Sequence, residues 1–292
     1  MKFYIVDAFT NELFGGNPAG VVILDQGRDF PTDEICVKTA KELRYSETAF
    51  IKILGDNEFN IRYFTPAAEV ELCGHATIAS FAALRYGGYI SDGAYMNHTI
   101  SGDLNIEVKG DDILMDMATP VKIDEITEAD KLEELYRIMG LSYEDQKARG
   151  LELTPQMIST GLPDIIMPVV SKGDLEAIEP DFKALSDLSE RYEVVGVHAF
   201  TRDGDDATGH CRNFAPLYDI DEEAATGTSN GALTYYGYLN GFISSGDESK
   251  FIQGEKMGRP SVIISSIKAD GESCLIRVGG SGVILAEGDI KI

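Results

Sequence analysis

The chain has 292 residues, an ordinary mixture of apolar and charged side chains, and a net charge of −24 at pH 7. This length suits two domains of typical size, each with room for its own core. The negative charge argues against nucleic acid and anionic membrane surfaces as partners, because both select basic patches.

The amino terminus and the cysteines bear on compartment and metal content. Residues 1–7 lack the apolar run and small-residue cleavage site of a signal peptide, and no long uncharged apolar stretch follows them. The four cysteines are widely spaced, and neither they nor the four histidines have the spacing of a zinc site or a disulfide framework. We therefore expect a cytoplasmic protein without a metal.

Segments rich in β-branched and aromatic residues dominate the first half and predict strands. They are residues 3–9, 19–24, 48–54, 59–64, 104–108 and 112–117. A mostly antiparallel sheet with short turns is the expected arrangement. Residues 32–44 predict an amphipathic helix with an acidic start.

Two further helices are predicted to be buried. Residues 74–86 would form a helix with small apolar side chains on almost all of its faces, and residues 228–239 begin with side chains of the same kind. Between them, residues 118–150 are charged and predict a linker with a surface helix at 128–139. The acidic segments 203–206 and 219–223 predict mostly solvated loops.

The chain contains an internal repeat. Arg62-Tyr63-Phe64-Thr65-Pro66 recurs as Arg212-Asn213-Phe214-Ala215-Pro216, and Gly16-Asn17-Pro18 is echoed by Gly161-Leu162-Pro163. A period this long indicates two copies of one domain rather than a solenoid. We expect an N-terminal domain over 1–118 and a C-terminal domain over 119–292, with the last strand able to return to the first domain.

Each copy is predicted to be α+β, a strongly curved sheet around one central helix. Gly74 and Gly227 open the two helices at matched places, where unpaired amides and the helix dipole favour a carboxylate. If the domains are related by pseudo-twofold symmetry, both helix starts face one cleft, which predicts a small anionic substrate. The alternative is that both glycines only allow close packing of helix on sheet.

Three titratable residues are candidates for proton chemistry. Glu47 heads an apolar strand, where desolvation is expected to raise its pKa and make it a general acid and base. Val197 stands at the matching position of the second copy. His75 follows Gly74 at the helix start, where a neutral imidazole is favoured; Glu223 precedes the second helix. The alternatives are that Glu47 is a capping or solvated glutamate at the end of a strand, that His75 has a structural role, and that Glu223 is one more charge in an acidic loop.

Cys73 raises the alternative of a two-base racemase, since cofactor-free racemases of this architecture use a cysteine before each glycine-started helix. The second thiol is missing, because we align Ala224 and Ala225 with Cys73. Cys211 lies at the other end of its strand and is not expected to substitute. Cys73 is then most simply a small buried residue.

The sequence resembles the PhzF (phenazine biosynthesis-like) family over nearly its whole length. The motifs that carry the resemblance are Gly16-Asn17-Pro18-Ala19, Ser46-Glu47-Thr48-Ala49-Phe50, Phe64-Thr65-Pro66, Glu69 to Thr77, Arg212 to Pro216, Ala225-Thr226-Gly227 and Gln253 to Ser261. The resemblance implies the diaminopimelate epimerase-like fold and a cofactor-independent isomerase that moves a proton within a dihydro-hydroxyanthranilate.

The resemblance also implies roles for individual residues. Glu47 matches the family's proton-shuttling glutamate, His75 its Gly-His histidine and Gly74 a substrate-contacting glycine. Substrate contacts are expected at Asn17, Gly227 and Thr228 as well. Glu223 stands where the family usually has aspartate and Thr228 where it has serine, which reshapes the pocket.

Two other functions stay open from the sequence. One is a two-base racemase or epimerase of an amino acid; the other is a small-molecule binding or regulatory protein without turnover. We expect a homodimer, the commonest closed assembly of soluble enzymes.

Overall fold

The computed structural model describes residues 1–270 and 273–292. The α-helices are α1 (Asp33–Leu43), α2 (Gly74–Tyr86), α3 (Ala129–Ile138), α4 (Tyr143–Ala148), α5 (Lys172–Ala177), α6 (Phe182–Tyr192) and α7 (Gly227–Leu239). Short 3₁₀ turns lie at Pro216–Tyr218 and Glu255–Met257. Within these described residues, no helix is long and apolar enough to cross a membrane.

Strands make up most of the remaining regular structure. They are β1 (Lys2–Ala8), β2 (Asn17–Ile23), β3 (Thr48–Ile53), β4 (Glu58–Phe64), β5 (Glu69–Val70), β6 (Gly93–Thr99), β7 (Gly102–Lys109), β8 (Asp112–Asp116), β9 (Val121–Glu125), β10 (Gln156–Ser159), β11 (Pro163–Pro168), β12 (Gly196–Thr201), β13 (Gly209–Ala215), β14 (Ile220–Glu223), β15 (Glu248–Gln253), β16 (Ser261–Asp270), β17 (Ser273–Gly280) and β18 (Gly282–Asp289). They belong to two compact units, Met1–Asp116 with Gly279–Ile292, and Met117–Val278.

The sheet of the first unit is mostly antiparallel, as predicted. Strand β1 lies between β18 and β2, and the antiparallel series β6, β7 and β8 forms its other part. Two pairs are parallel, β2 with β3 and β4 with β6. Helices α1 and α2 make the crossovers between these parallel strands, since a short turn cannot connect them.

Helix α2 is the centre of the first unit. Its residues 75–84 are all buried, and it contacts β1, β2, β3 and β18. The small apolar side chains of this helix let the surrounding strands approach it on all sides. Both its burial and its start at Gly74 agree with the sequence-based expectation.

The second unit repeats the same strand order. Strand β10 pairs antiparallel with β11, β11 pairs parallel with β12, β12 pairs antiparallel with β13, and β13 pairs parallel with β15. Helix α7 is largely buried and contacts β10, β11 and β16. The α+β class, with two similar units of sheet and a central helix, is therefore confirmed.

Two predictions about polar segments were wrong. The helix predicted at 128–139 is present as α3, but the rest of residues 118–150 is not mainly a linker, because it contains β9 and α4; Leu135 and Tyr136 of α3 are fully buried in the core of the second unit. The acidic segment 219–223 is not mainly a loop, because residues 220–223 form β14 against β13. There Arg212 neutralises Glu222, which lets an acidic segment enter the sheet.

The repeated Arg-x-Phe motif has one structural explanation in both units. Arg62 Nε donates to Glu69 at 2.7 Å, and Arg212 Nε donates to Glu222 at 2.8 Å, each pair being bidentate. The two guanidinium groups also lie over the rings of Phe64 and Phe214, 5.0 and 4.9 Å from their centroids. The repeat thus preserves a stacked arginine that pairs with a carboxylate.

The Gly-x-Pro echo marks a turn that requires glycine. Gly16 has a φ of +61°, and a Cβ there would lie 2.1 Å from the carbonyl oxygen of Ala8. Gly161 also has a positive φ, +136°. Each glycine therefore leads the chain into the next strand through a conformation that other residues rarely adopt.

Candidate active site

Glu47 lies immediately before β3, at a place fixed by the parallel pairing with β2. Its carbonyl oxygen accepts a hydrogen bond of 3.2 Å from the amide of Gly20. The strand that follows is buried at Ala49, Phe50 and Ile51, so the backbone cannot shift without disturbing the core. The side chain is 15 % exposed, which places a carboxylate at the edge of an apolar region.

The start of helix α2 is held by a buried chain of hydrogen bonds. Asn97 donates to the Tyr63 hydroxyl at 3.0 Å, and this hydroxyl lies 2.6 Å from Thr77 Oγ1. Thr77 Oγ1 donates in turn to the carbonyl of Cys73 at 2.8 Å. Because the helix is fixed in this way, Cys73 at its N-cap and His75 in its first turn have defined positions.

His75 lies between a thiol and a carboxylate. Its Nδ1 is 3.4 Å from Cys73 Sγ, and its Nε2 is 3.2 Å from Glu47 Oε2. Ser46 Oγ lies 3.3 Å from the same Nε2. The imidazole is only 4 % exposed, so these neighbours determine which nitrogen carries its proton.

The Glu47 carboxylate is close to the imidazole but is not aligned with it. Although Nε2 is 3.2 Å away, Oε2 is buried and has no hydrogen-bond partner among the described residues. The contact therefore has the distance of an ion pair without the direction of a hydrogen bond. A buried carboxylate oxygen with an unused lone pair can accept a proton from a bound molecule.

Gly74 begins α2, as predicted, and Asn17 begins β2. Gly74 is the first residue of α2, where a helix leaves its amides unpaired within the helix and its dipole favours an anion. Asn17 is buried and begins β2, three residues before the amide that binds the Glu47 carbonyl.

In the second unit, Gln253 connects Glu223 to the start of α7. Its side-chain amide donates to the carbonyl of Glu223 at 2.7 Å, and its Oε1 accepts from Asn230 Nδ2 at 2.8 Å and from the Thr226 amide at 3.3 Å. Thr226 Oγ1 donates to Glu223 Oε2 at 2.7 Å. The hydroxyl of Thr226, the N-cap residue of α7, thus holds the carboxylate of Glu223 in one orientation.

The alignment of Ala224 and Ala225 with Cys73 was wrong by one or two residues, although Gly74 and Gly227 were matched correctly. The N-cap of α7 is Thr226, so Thr226 and not Ala224 or Ala225 corresponds to Cys73. A threonine carries no thiol, so the second cysteine of a two-thiol racemase is still missing from this place. Gly227 begins α7 as expected, and the carbonyl of Thr228 accepts a hydrogen bond of 2.9 Å from Thr160.

Sequence reasoning missed a buried acid in the second unit. Asp164 is 1 % exposed, and its Oδ2 accepts a hydrogen bond of 2.6 Å from Ser229 in the first turn of α7. Burial, with a smaller contribution from the charge of Glu223, raises the pKa of Asp164 to about 7. An aspartate directly before the apolar run 165–167 was the available signal. Gln253 belongs to one of the motifs of the family resemblance, but the sequence does not indicate its role.

The fold also assembles three metal-ligand types that are separated in the sequence. Glu47, Cys73 and His75 each offer one ligand atom, and these atoms lie within 4.8 Å of one another. Cys36 and Cys211 are poor metal ligands, since burial raises the pKa of Cys36 to about 11 and that of Cys211 well above its ordinary value.

Comparisons with known proteins show the family of the chain. Residues 6–288 match the family described as phenazine biosynthesis-like protein (PhzC-PhzF). The chain is 32 % identical to an uncharacterized isomerase of Clostridium acetobutylicum, covering 100 % of this chain and 98 % of the relative. It is 28 % identical to a trans-2,3-dihydro-3-hydroxyanthranilate isomerase of Pseudomonas fluorescens, covering 100 % and 99 %. The crystal structure of a PhzF-family protein from Bacillus anthracis matches with a TM-score of 0.87 at 26 % identity, covering 100 % and 99 %.

Proposed function

Because this chain belongs to the phenazine biosynthesis-like (PhzC-PhzF) family of isomerases, we propose that it moves a proton within a small carboxylic acid, with Glu47 as general acid and base and without a cofactor. The buried Oε2 of Glu47, which has no hydrogen-bond partner among the described residues, carries the proposal. A carboxylate in this state meets the requirement for abstracting a proton from carbon.

The proposed reaction has two proton transfers by one residue. Glu47 Oε2 takes a proton from a carbon atom of the substrate, and the electrons of that bond enter the conjugated system. The protonated carboxyl group then returns the proton at another carbon of the same system. Since the same oxygen can serve in both steps, a second acid is not required.

His75 is proposed to orient the carboxylate. Its Nε2 lies 3.2 Å from Glu47 Oε2 on a helix that the Tyr63–Thr77 hydrogen bond fixes in place. An imidazole held there limits the rotation of the carboxylate and can donate a proton to it or to the substrate. We propose that the amides at Gly74 bind the carboxylate of the substrate, as helix N-termini do.

The residues of the second unit are proposed to act on the substrate through the start of α7. Gly227 and Thr228 offer the same kind of anion-binding helix start as Gly74. Glu223, directed by Thr226, is proposed to bind a polar group such as an amine. Asn17 is a proposed substrate contact in the first unit.

The first substrate to test is the one named for a relative. The Pseudomonas fluorescens protein is named a trans-2,3-dihydro-3-hydroxyanthranilate isomerase, and this compound carries both a carboxylate and an amine. We propose to incubate the protein in D₂O with this compound and with a panel of cyclic and amino carboxylic acids. Mass spectrometry then shows which compound takes up deuterium, and uptake by none of them contradicts the proposal for this substrate class.

A two-base epimerase is the second candidate, and the Cys73 thiol favours it. Its Sγ is 3.4 Å from His75 Nδ1, close enough to exchange a proton with the imidazole. Full deuterium exchange in a Cys73→Ser variant rejects this candidate. The candidate is supported if Cys73→Ser loses deuterium exchange and the unaltered protein inverts a chiral centre of the substrate.

A further inference from the structure

We propose that Glu47, Cys73 and His75 form a binding site for one zinc ion. Within residues 1–270 and 273–292, these three are the group of histidine, cysteine and acidic side chains whose ligand atoms all lie within 4.8 Å of one another. Thiolate, imidazole and carboxylate are the three ligand types of protein zinc sites.

The spacing of the thiol and the imidazole already fits a tetrahedral ion. Zinc bonds of about 2.3 Å to sulfur and about 2.0–2.1 Å to nitrogen separate the two ligand atoms by about 3.6 Å at a tetrahedral angle. Cys73 Sγ and His75 Nδ1 are 3.4 Å apart. Both residues belong to the fixed start of α2, so the ion needs little rearrangement of these two ligands.

Glu47 completes the site when its side chain changes position on binding of the ion. Its Oε2 now lies beside Nε2, on the other nitrogen of the same ring, and has to turn toward Nδ1. Since Oε2 has no hydrogen-bond partner among the described residues, this turn breaks no aligned hydrogen bond of that oxygen. Three protein ligands leave the fourth position open for water or an anion.

Charge and softness favour zinc over the hard cations. The thiolate and the carboxylate together balance the charge of a divalent ion, and sulfur and imidazole select zinc over magnesium or calcium. Cys73 and Glu47 are both half-buried rather than fully enclosed, which gives the ion a route of entry. Binding requires Cys73 as thiolate and therefore releases its proton.

A second histidine cluster shows what such a site requires. His210 also contacts two carboxylates, Glu255 at 2.7 Å from Nδ1 and Asp206 at 3.1 Å from Nε2. No thiol takes part in these contacts, and among the described residues the group whose three ligand atoms all lie within 4.8 Å of one another is that of His75, not that of His210. His210 therefore does not carry a comparable proposal.

The test is calorimetric titration of the metal-free protein with zinc chloride. We expect one zinc per chain, with an affinity lowered about a hundredfold or more in Cys73→Ser and in His75→Asn, since loss of a ligand costs at least as much as loss of its supporting partners. Cys274→Ser, at the other half-buried cysteine, and His98→Asn, at a partly exposed histidine, are the matched controls and should keep the affinity. Equal affinity in Cys73→Ser and the unaltered protein overturns the proposal, as does an equal loss in His98→Asn.

Two readouts keep the test independent of folding defects and of turnover. Cobalt added to the metal-free protein should give a thiolate-to-metal charge-transfer band that is absent from Cys73→Ser, and zinc should protect Cys73 from iodoacetamide. Alkylation of Cys73 at an unchanged rate in excess zinc contradicts the site. Bound zinc should also stop deuterium exchange, and a chelator should restore it. This consequence alone rests on the proposed function. Exchange that continues with zinc bound therefore contradicts the role of Glu47 and leaves the binding result intact.

Discussion

Glu47 Oε2 and His75 Nε2 lie 3.2 Å apart, and this contact joins the residue before β3 to the first turn of α2. The two side chains come from different crossovers of one sheet, so the pair exists only when β2, β3 and α2 are assembled. A buried helix and a parallel strand pair thus place an imidazole beside a carboxylate that is mostly shielded from water. This arrangement is the basis of the proposed proton transfer.

Replacing His75 should reduce the rate of deuterium exchange. His75→Asn removes the ring that limits the rotation of the Glu47 carboxylate, and we expect a loss of about a hundredfold, the scale of a misplaced catalytic group. The loss should appear in kcat rather than in KM, because His75 is proposed to orient the base and not to hold the substrate. His98→Asn, which changes a partly exposed ring paired with Asp103, should keep the rate. An unchanged kcat in His75→Asn contradicts the proposed role.

The repeated arginine should be essential for the stability of the second unit. Arg212 is buried, pairs bidentately with Glu222, and donates to the carbonyls of Leu175 and Ile178 at 3.0 and 2.8 Å. A lysine cannot reproduce this planar fork, so Arg212→Lys should lower the free energy of unfolding by about 3 kcal/mol in urea denaturation.

The control for this prediction is the same substitution at the surface. Arg191 is 53 % exposed and pairs with Glu134 at 2.7 Å. Arg191→Lys should change the free energy of unfolding by less than about 0.5 kcal/mol. Equal effects of the two substitutions would show that burial of the Arg212 pair has no special importance.

Asp164 should make stability depend on pH. Its folded-state pKa of about 7 lies above the ordinary value of 3.8, so between these values the folded protein keeps a proton that the unfolded chain releases. The free energy of unfolding therefore falls as pH rises from about 4 to about 7, and the contribution of Asp164 is fully lost above that range.

Asp164→Asn should remove this dependence. The difference between the folded-state pKa of about 7 and the ordinary value of 3.8 sets an upper limit of about 4 kcal/mol on the pH-dependent change in the free energy of unfolding. Urea denaturation at a series of pH values measures it as the difference in slope between the unaltered protein and the variant. Asp187→Asn, at a side chain 67 % exposed, should keep the original slope. The prediction fails if Asp164→Asn also keeps it.

The turn at Gly16 should tolerate no side chain. Gly16→Ala adds a Cβ 2.1 Å from the Ala8 carbonyl oxygen in a backbone conformation with φ of +61°. Gly27 has a similar φ of +77°, but a Cβ there meets nothing within 4 Å. Gly16→Ala should therefore cost at least about 2 kcal/mol more than Gly27→Ala in free energy of unfolding, because only the first adds a steric clash to the strained φ. Equal costs would mean that the backbone moves away from the added atom.

Local sequence patterns were sufficient for helices α1, α2, α3 and α7, which lie within one residue of their predicted ranges. The amphipathic pattern of α1 and α3, and the glycine start and apolar composition of α2 and α7, are all local signals. The repeat also predicted two similar units before any strand pairing was known. Helices α4, α5 and α6 were not predicted, and α4 and α5, with six residues each, are too short to show a clear period.

What the sequence could not supply were partners from distant parts of the chain. Acidic strand β14 is stable because Arg212 neutralises Glu222, and this pairing is not visible in an acidic segment by itself. Gln253 contacts Glu223, thirty residues earlier, so its role is evident only in the folded unit. In the candidate site, Glu47 and His75 were predicted from motifs, whereas the contact of His75 with Cys73 emerged from the structure.

The most direct test of the account compares Glu47→Gln with Glu42→Gln in D₂O, using the compound of the panel that exchanges fastest. Glu42 is exposed on α1 in the same unit, so its variant reports any general effect of losing a glutamate charge. We expect that Glu47→Gln, with an unchanged melting temperature, loses at least about a hundredfold in exchange rate while Glu42→Gln keeps it. Exchange at the original rate in Glu47→Gln would contradict the proposal that Glu47 carries the proton.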